Sequence, residues 1–204
     1  MSSAVLASER TLPNQELINF GDDEYIWADW VFAYGSLIWN PEIDFESSYI
    51  GKVYGRHRNF CVQSTKYRGT PSLPGVVLGL DTGGSCVGVV YKLRSATKIE
   101  SIEKLYQREM LNRIYIPILV NVYVANKQSV RALTFAANRR NDAYLSMTED
   151  QLFNRLNVCV GDRGANKDYA LNTWRALKEH GVRDERLEKI STRLIRSNCG
   201  VVQS

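Results

Sequence analysis

Residues 75–93 read GVVLGLDTGGSCVGVVYKL. Val76, Leu78 and Leu80 alternate with smaller residues, as do Val87, Val89 and Tyr91, and this period of two marks strands with one buried face. Between the two runs, DTGGS carries adjacent glycines that can supply the positive φ angles of a tight turn. The stretch therefore predicts two strands, GVVLGLD and SCVGVVYKL, joined as a hairpin.

The same period extends towards the N-terminus. DWVFAYG predicts one strand, and YIGKVYGRHRNFCVQST predicts one long strand or a bent pair, so residues 30–93 are β-rich. Towards the C-terminus the period changes. Residues 95–111 predict a helix; YIPILVNVYVA and VRALTFAA then return to strand, separated by the turn NKQS. Pro117 lacks an N–H for a ladder, which places the start of the first of these at an edge or a bulge. From Thr148 onwards the pattern is helical. Thr148 and Gln151 match a capping box ahead of LFNRLNVCV. Asn166 can cap KDYALNTWRALKEHG, which stops at Gly181, and a last amphipathic helix carries Leu187, Ile190 and Leu194. Strands first, one inserted helix and a helical tail specify an α+β fold with a curved, largely antiparallel sheet or small barrel. A dinucleotide-binding organisation would need regular β-α-β alternation and a GxGxxG after the first strand, and the chain has neither. Residues 1–28 read as a variable lead-in and residues 29–199 as a single domain.

Composition removes several function classes. The net charge of +4 is spread along the chain, and the densest basic run, GRHRNF, lies inside a strand-like segment. No clustered stripe of phosphate contacts is present, so no nucleic-acid partner is expected. No apolar run approaches the ~20 residues that span a bilayer, so no membrane partner is expected either. The start, MSSAVLASERTLPNQ, lacks the basic n-region of a secretory signal, which makes a cytoplasmic protein the expectation. Cys61, Cys86, Cys159 and Cys199 form no CxxC pair, and His57 and His180 add no zinc-ligand spacing. Reduced cysteines, no metal and no cofactor are expected.

Two features carry chemistry. At residues 34–39, YGSLIW, an apolar run enters Gly35 and Ser36 and then resumes, which is either a strand bulge or a bend that exposes backbone amides. Ser36 lacks the GxSxG setting and an evident Asp/His pair, so it is no candidate nucleophile. On the helix, Ile99, Ile102 and Tyr106 form an apolar stripe whose next position is Glu109. That glutamate either leaves the core at the helix end, in water or paired with a cation such as Arg113, or faces a cavity where desolvation would raise its pKa. Arg108 falls on the solvated side of the same period. Periodicity alone does not choose between the two readings of Glu109.

YGSLIW, RGTPSLPG, REM and GDRGANKDY, in this order and with PGVVLGLDTGGSCVGVVY between them, resemble the ChaC-type, glutathione-specific γ-glutamylcyclotransferases. The resemblance runs over about four-fifths of the chain. It implies a small mixed β-barrel of the γ-glutamylcyclotransferase-like fold, with surrounding helices and a helical C-terminal part. It also implies a lyase that closes a γ-glutamyl group to 5-oxoproline and, from glutathione, releases Cys-Gly. The family's proton-accepting glutamate corresponds to Glu109. The loop that binds the γ-glutamyl group corresponds to Tyr34, Gly35, Ser36 and Leu37, with Ile38 and Trp39 beside it. Tyr169 matches the tyrosine of the family's GxxGxNxxY pattern, and Arg68 and Gly69 match a further segment assigned to the pocket wall. This chain departs from the pattern at Tyr67, where a histidine is common, and at Arg113 and Ile114, which are bulkier than usual. The partner implied is a small molecule, handled by a monomer or weak homo-oligomer. Glutathione is the first substrate expected; other γ-glutamyl amino acids or amines are the second. A γ-glutamyl-binding module without catalysis is the alternative of another class.

Overall fold

A long antiparallel ribbon dominates the molecule, a computed structural model that describes residue 25 and residues 27–110, 113–125 and 128–199. Strand β2 (Phe45–Ser64) pairs with β3 (Gly75–Leu93) from Phe45 opposite Leu93 to Ser64 opposite Gly75. The predicted hairpin at DTGGS is therefore not a hairpin. Gly83 and Gly84 do have positive φ, at 95° and 69°, but β3 runs straight through them. They lie at a shift of register between Tyr54 and Arg56, where Gly55 also has positive φ. Glycines of this kind satisfy a bulge as readily as a turn, and here both strands bend together while the ribbon continues. The chain reverses instead at residues 65–74. YIGKVYGRHRNFCVQST correspondingly belongs to one long strand.

Bending lets one ribbon contribute to both sides of a closed barrel ordered β1-β3-β2-β4-β5. Strand β1 (Trp30–Ala33) pairs antiparallel with β3, and parallel with β5 (Ser129–Ala137) through Val31 and Leu133. Strand β4 (Tyr115–Tyr123) pairs with β5 along its length but meets β2 only at Lys52 and Tyr123. Pro117 thus sits where β4 has a single ladder neighbour, as its missing N–H requires. Asn126 and Lys127 of the NKQS turn lie outside the described residues, as does the lead-in apart from Tyr25, Trp27 and Ala28.

Helix α1 (Lys98–Glu109) follows a 3-10 turn and covers the barrel with Ile102, Leu105 and Tyr106. Full burial of Ile102 and Leu105 is worth about 2 kcal/mol each. Ile99 is 56% exposed, so the apolar stripe begins a turn later than its period suggests. Helix α2 (Glu149–Val158) opens on the predicted capping box, with both reciprocal bonds between Thr148 and Gln151 formed. The tail is not wholly helical: β6 (Val160–Gly161) and β7 (Gly164–Ala165) form a short hairpin before α3 (Asn166–Glu179). Asn166 does not cap α3. Its buried amide grips Val76 of β3, accepting from the backbone N–H and donating to the carbonyl, both at 2.7 Å. A carboxamide matches the donor and acceptor of one strand residue, and this long-range fit replaces the local cap. Gly181 closes α3 at φ 71°, and α4 (Glu185–Cys199) buries Leu187, Ile190 and Leu194 as its pattern requires. Among the described residues, no helix is long and apolar enough to cross a membrane.

Candidate active site

The YGSLIW segment leaves β1 at its C-terminal end and turns at once. Tyr34 is buried and anchored twice: its hydroxyl donates to the Phe135 carbonyl at 2.7 Å, and its own carbonyl accepts from Arg58 Nε. Arg58 also pairs with Asp184 ahead of α4, which ties the loop to the last helix. Ser36–Ile38 then form one 3-10 turn, with Ile38 N–H bonded to the Gly35 carbonyl and Asn40 N–H to that of Ser36. As at any helix start, the leading amides lack intrahelical partners. Among the described residues, none accepts from the backbone N–H of Gly35, Ser36 or Leu37. The segment is a bend, not a bulge. Space is tight at Gly35: a Cβ there would lie 3.2 Å from the Tyr169 hydroxyl.

Those three residues line a narrow recess of about 30 Å³, together with Tyr34, Tyr115, Tyr169 and Glu109. The recess adjoins a cleft of about 480 Å³ through shared walls at Ser36, Glu109, Tyr115 and Tyr169. Glu109 ends α1 with its side chain only 16% exposed. Of its two readings, the cavity-facing one holds. Burial pushes its pKa above the usual carboxylate value, and the charges of Arg108 and Arg163 oppose that shift. Its ion-pair partner is Arg108 at 3.1 Å, not Arg113. Helix α1 stops at Glu109, and Arg113 lies beyond it, exposed and at φ 54°.

Arg108 is the chief residue that the sequence period misplaced. Its side chain is 12% exposed and spans the site: it pairs with Glu109 and Glu42 and donates to the Ser36 hydroxyl at 2.7 Å and the Asn40 carbonyl at 3.1 Å. A residue next to a buried position points about 100° away on an isolated helix. The loop after β1 lies against that flank, so the flank is not solvent. Tyr115 was missed as well. Its hydroxyl donates to the Leu78 carbonyl at 2.9 Å, and burial drives its pKa well up.

The remaining predicted residues divide between the cleft and its supports. Tyr169 lines both cavities; its hydroxyl accepts from Leu78 N–H at 3.1 Å, and burial pushes it up to about 12. Trp39 lines the cleft and also packs, edge-on to Tyr169, with its indole donating to Thr173 at 3.1 Å. Arg68 lines the cleft wall, stacked 5.5 Å from the Tyr169 ring and donating to the Arg163 carbonyl. Gly69 and Ile38 line neither cavity. A Cβ on Gly69 would lie 2.1 Å from the backbone nitrogen of Gly75, so this glycine permits a close chain approach, and Ile38 is buried in the core. Among the described residues, no cluster of His, Cys, Asp and Glu could hold a metal ion.

The sequence and the barrel fold have counterparts in known proteins. A family model described as "ChaC-like protein" matches residues 29–196. A glutathione-specific γ-glutamylcyclotransferase of Escherichia coli is 34% identical over 162 residues, covering 79% of this chain and 70% of the relative. Glutathione-specific γ-glutamylcyclotransferase 1 of Rattus norvegicus is 32% identical, covering 80% and 77%. A crystal structure of a yeast γ-glutamylcyclotransferase specific to glutathione superposes with a TM-score of 0.76 at 21% identity, covering 83% of this chain and 96% of that one. The family match takes in the whole of the barrel, the loop after β1, Glu109 and nearly all of the helical tail, so the chain belongs to the ChaC-like family.

Proposed function

We propose that this chain is a γ-glutamylcyclotransferase that converts glutathione to 5-oxoproline and Cys-Gly. One observation carries the reading: a single desolvated carboxylate, Glu109, borders a recess whose other wall is a loop with unpartnered amides. Names of relatives with at least 30% identity support the substrate. The working unit is residues 29–199 as one domain, acting in the cytoplasm on a small molecule as a monomer or weak homo-oligomer.

The reaction is intramolecular. The α-amine of the γ-glutamyl group attacks its own γ-carbonyl carbon, a five-membered lactam closes, and the C–N bond to cysteine breaks. Glu109 takes the two protons that the α-ammonium loses on becoming the lactam N–H, one after the other, and passes each to the leaving amine, which departs as an ammonium, so the carboxylate is regenerated. Its raised pKa suits a base that works nearer neutral pH than a solvated glutamate. The recess folds the γ-glutamyl group back on itself, and nucleophile and electrophile already share one molecule. Orientation therefore supplies much of the rate, and no covalent enzyme intermediate is required. The Gly35, Ser36 and Leu37 amides bind the substrate carboxylate or the oxygen that gains charge during attack, a contact worth about 3 kcal/mol per donor aimed at the oxyanion.

Incubation of the purified protein with glutathione should release 5-oxoproline. The reading fails if neither glutathione nor any other γ-glutamyl amine gives that product; faster turnover of γ-glutamyl amino acids would replace glutathione as substrate and leave the chemistry intact. A second expectation concerns pH. The Arg108 cation favours the ionised form of Glu109, so Arg108→Met should raise the pKa of Glu109 further. Activity needs the carboxylate and is lost as pH falls through that pKa, so the acid limb of kcat should move to higher pH. An unmoved limb would remove Arg108 from the tuning of the base.

A further inference from the structure

The wall of the cleft built from residues 65–74 and the β6–β7 hairpin carries two cations, Lys66 and Arg163, that the chemistry above does not use. The tip of the β6–β7 hairpin is stitched to this loop: Asp162 N–H bonds the Lys66 carbonyl at 2.9 Å, Arg163 N–H bonds that of Tyr67 at 3.0 Å, and Arg68 donates to the Arg163 carbonyl at 2.6 Å. Arg163 therefore has a backbone held from both sides. Its guanidinium lies 4.3 Å from the centre of the Tyr67 ring, and the Lys66 ammonium lies 5.7 Å from the same ring. Stacking occupies the face of a guanidinium and leaves its N–H edge available. Among the described residues, no acceptor or carboxylate bonds either side chain. Arg108 is different, since it is committed to Glu42, Glu109, Ser36 and Asn40.

Lys66, Tyr67 and Arg163 line the same cleft as Glu109, and Arg163 is near enough to oppose the rise in the Glu109 pKa. A γ-glutamyl tripeptide with its reacting end in the recess extends its leaving dipeptide along the cleft and carries a second carboxylate at its far end. We propose that Arg163, stacked on Tyr67 with Lys66 beside it, receives the C-terminal carboxylate of the leaving dipeptide and so selects the tripeptide. This assignment rests on the cyclotransferase reading. It gives a physical use to Tyr67, one of the positions where the chain departs from the family pattern: a tyrosine ring offers Arg163 a flat, neutral platform.

The test compares glutathione with its C-terminal carboxamide in the wild type, Arg163→Met and Lys66→Met, reading 5-oxoproline release. The wild type should prefer the free acid by about tenfold or more in kcat/KM, as expected for a charge-assisted bond. Arg163→Met should lose that preference, through a KM for the acid that rises relative to that for the carboxamide; Lys66→Met should lose part of it. A change in the electrostatics of Glu109 would alter both substrates alike and cancel in the ratio. A wild type that turns over acid and carboxamide equally, or an Arg163→Met variant that keeps the preference, overturns the proposal and leaves the cyclotransferase reading standing. A wild type that turns over neither, nor any other γ-glutamyl compound, overturns that reading and this one with it.

Discussion

Glu109→Gln should slow 5-oxoproline release from glutathione by about 10³-fold, within the range for loss of a general base, while glutathione binding stays measurable. It should also raise the thermal midpoint at neutral pH. The carboxyl is buried and its pKa lies above the ordinary carboxylate value, so the native chain holds this proton more tightly than the unfolded chain does. By linkage, the stability associated with that proton is fully present below the unfolded pKa and is lost as pH rises through the folded one. Glutamine carries no charge to desolvate and escapes the loss. The gain in midpoint over wild type should therefore be present at pH 7, shrink as pH falls through the raised folded pKa, and be gone below the ordinary carboxylate value. Arg108 is not orphaned by the change, because Glu42, Ser36 and Asn40 still hold it. Turnover retained in Glu109→Gln would remove this residue as the base, and a lower midpoint at pH 7 would mean that its ion pair outweighs its desolvation.

Gly35→Val should cost about 100-fold or more in kcat/KM, the scale expected when a reacting group is displaced by around an ångström. Volume beside the recess accounts for the effect directly. A Cβ lies 3.2 Å from the Tyr169 hydroxyl and 3.8 Å from Leu78 Cβ, and that hydroxyl is itself held by Leu78 N–H. The γ-methyls of valine add to this beside a recess of about 30 Å³ that Gly35 lines. Ser36→Ala is the contrast. It deletes the hydroxyl that accepts from Arg108 but leaves the Ser36 amide in place, and the loss of one such bond costs roughly 1 kcal/mol, or several-fold in rate. Kinetics of the two variants should rank Gly35→Val far below Ser36→Ala. The reverse order would mean that the serine hydroxyl, rather than the bent backbone, serves the reaction.

The difference between these residues also explains which features could be read early. Thr148 and Gln151 cap α2 through bonds that span three residues, and Leu187, Ile190 and Leu194 follow a period internal to one helix. Glu109 was legible for the same reason: helix geometry alone put it on the stripe of Ile102 and Tyr106. The glycines of DTGGS were legible as positive φ but not as a bulge, because that choice depends on β2 continuing past them on the other side of the ribbon. Asn166 had the chemistry of a cap and took a partner 90 residues away. Arg108 had the period of a solvated residue, yet it donates to Ser36 across 72 residues and so joins the loop to the base.

By itself, the sequence determined the strand and helix periods, the α2 cap, the alignment of Glu109 with the buried face and, through the order of four motifs, the family. Only the tertiary structure decided that Glu109 faces a cavity, that Arg108 rather than Arg113 is its counter-ion, and that Tyr115 completes the recess. Those outcomes depend on which distant surface closes over a residue, and the barrel sets that by bringing β1, α1 and β4 to one end.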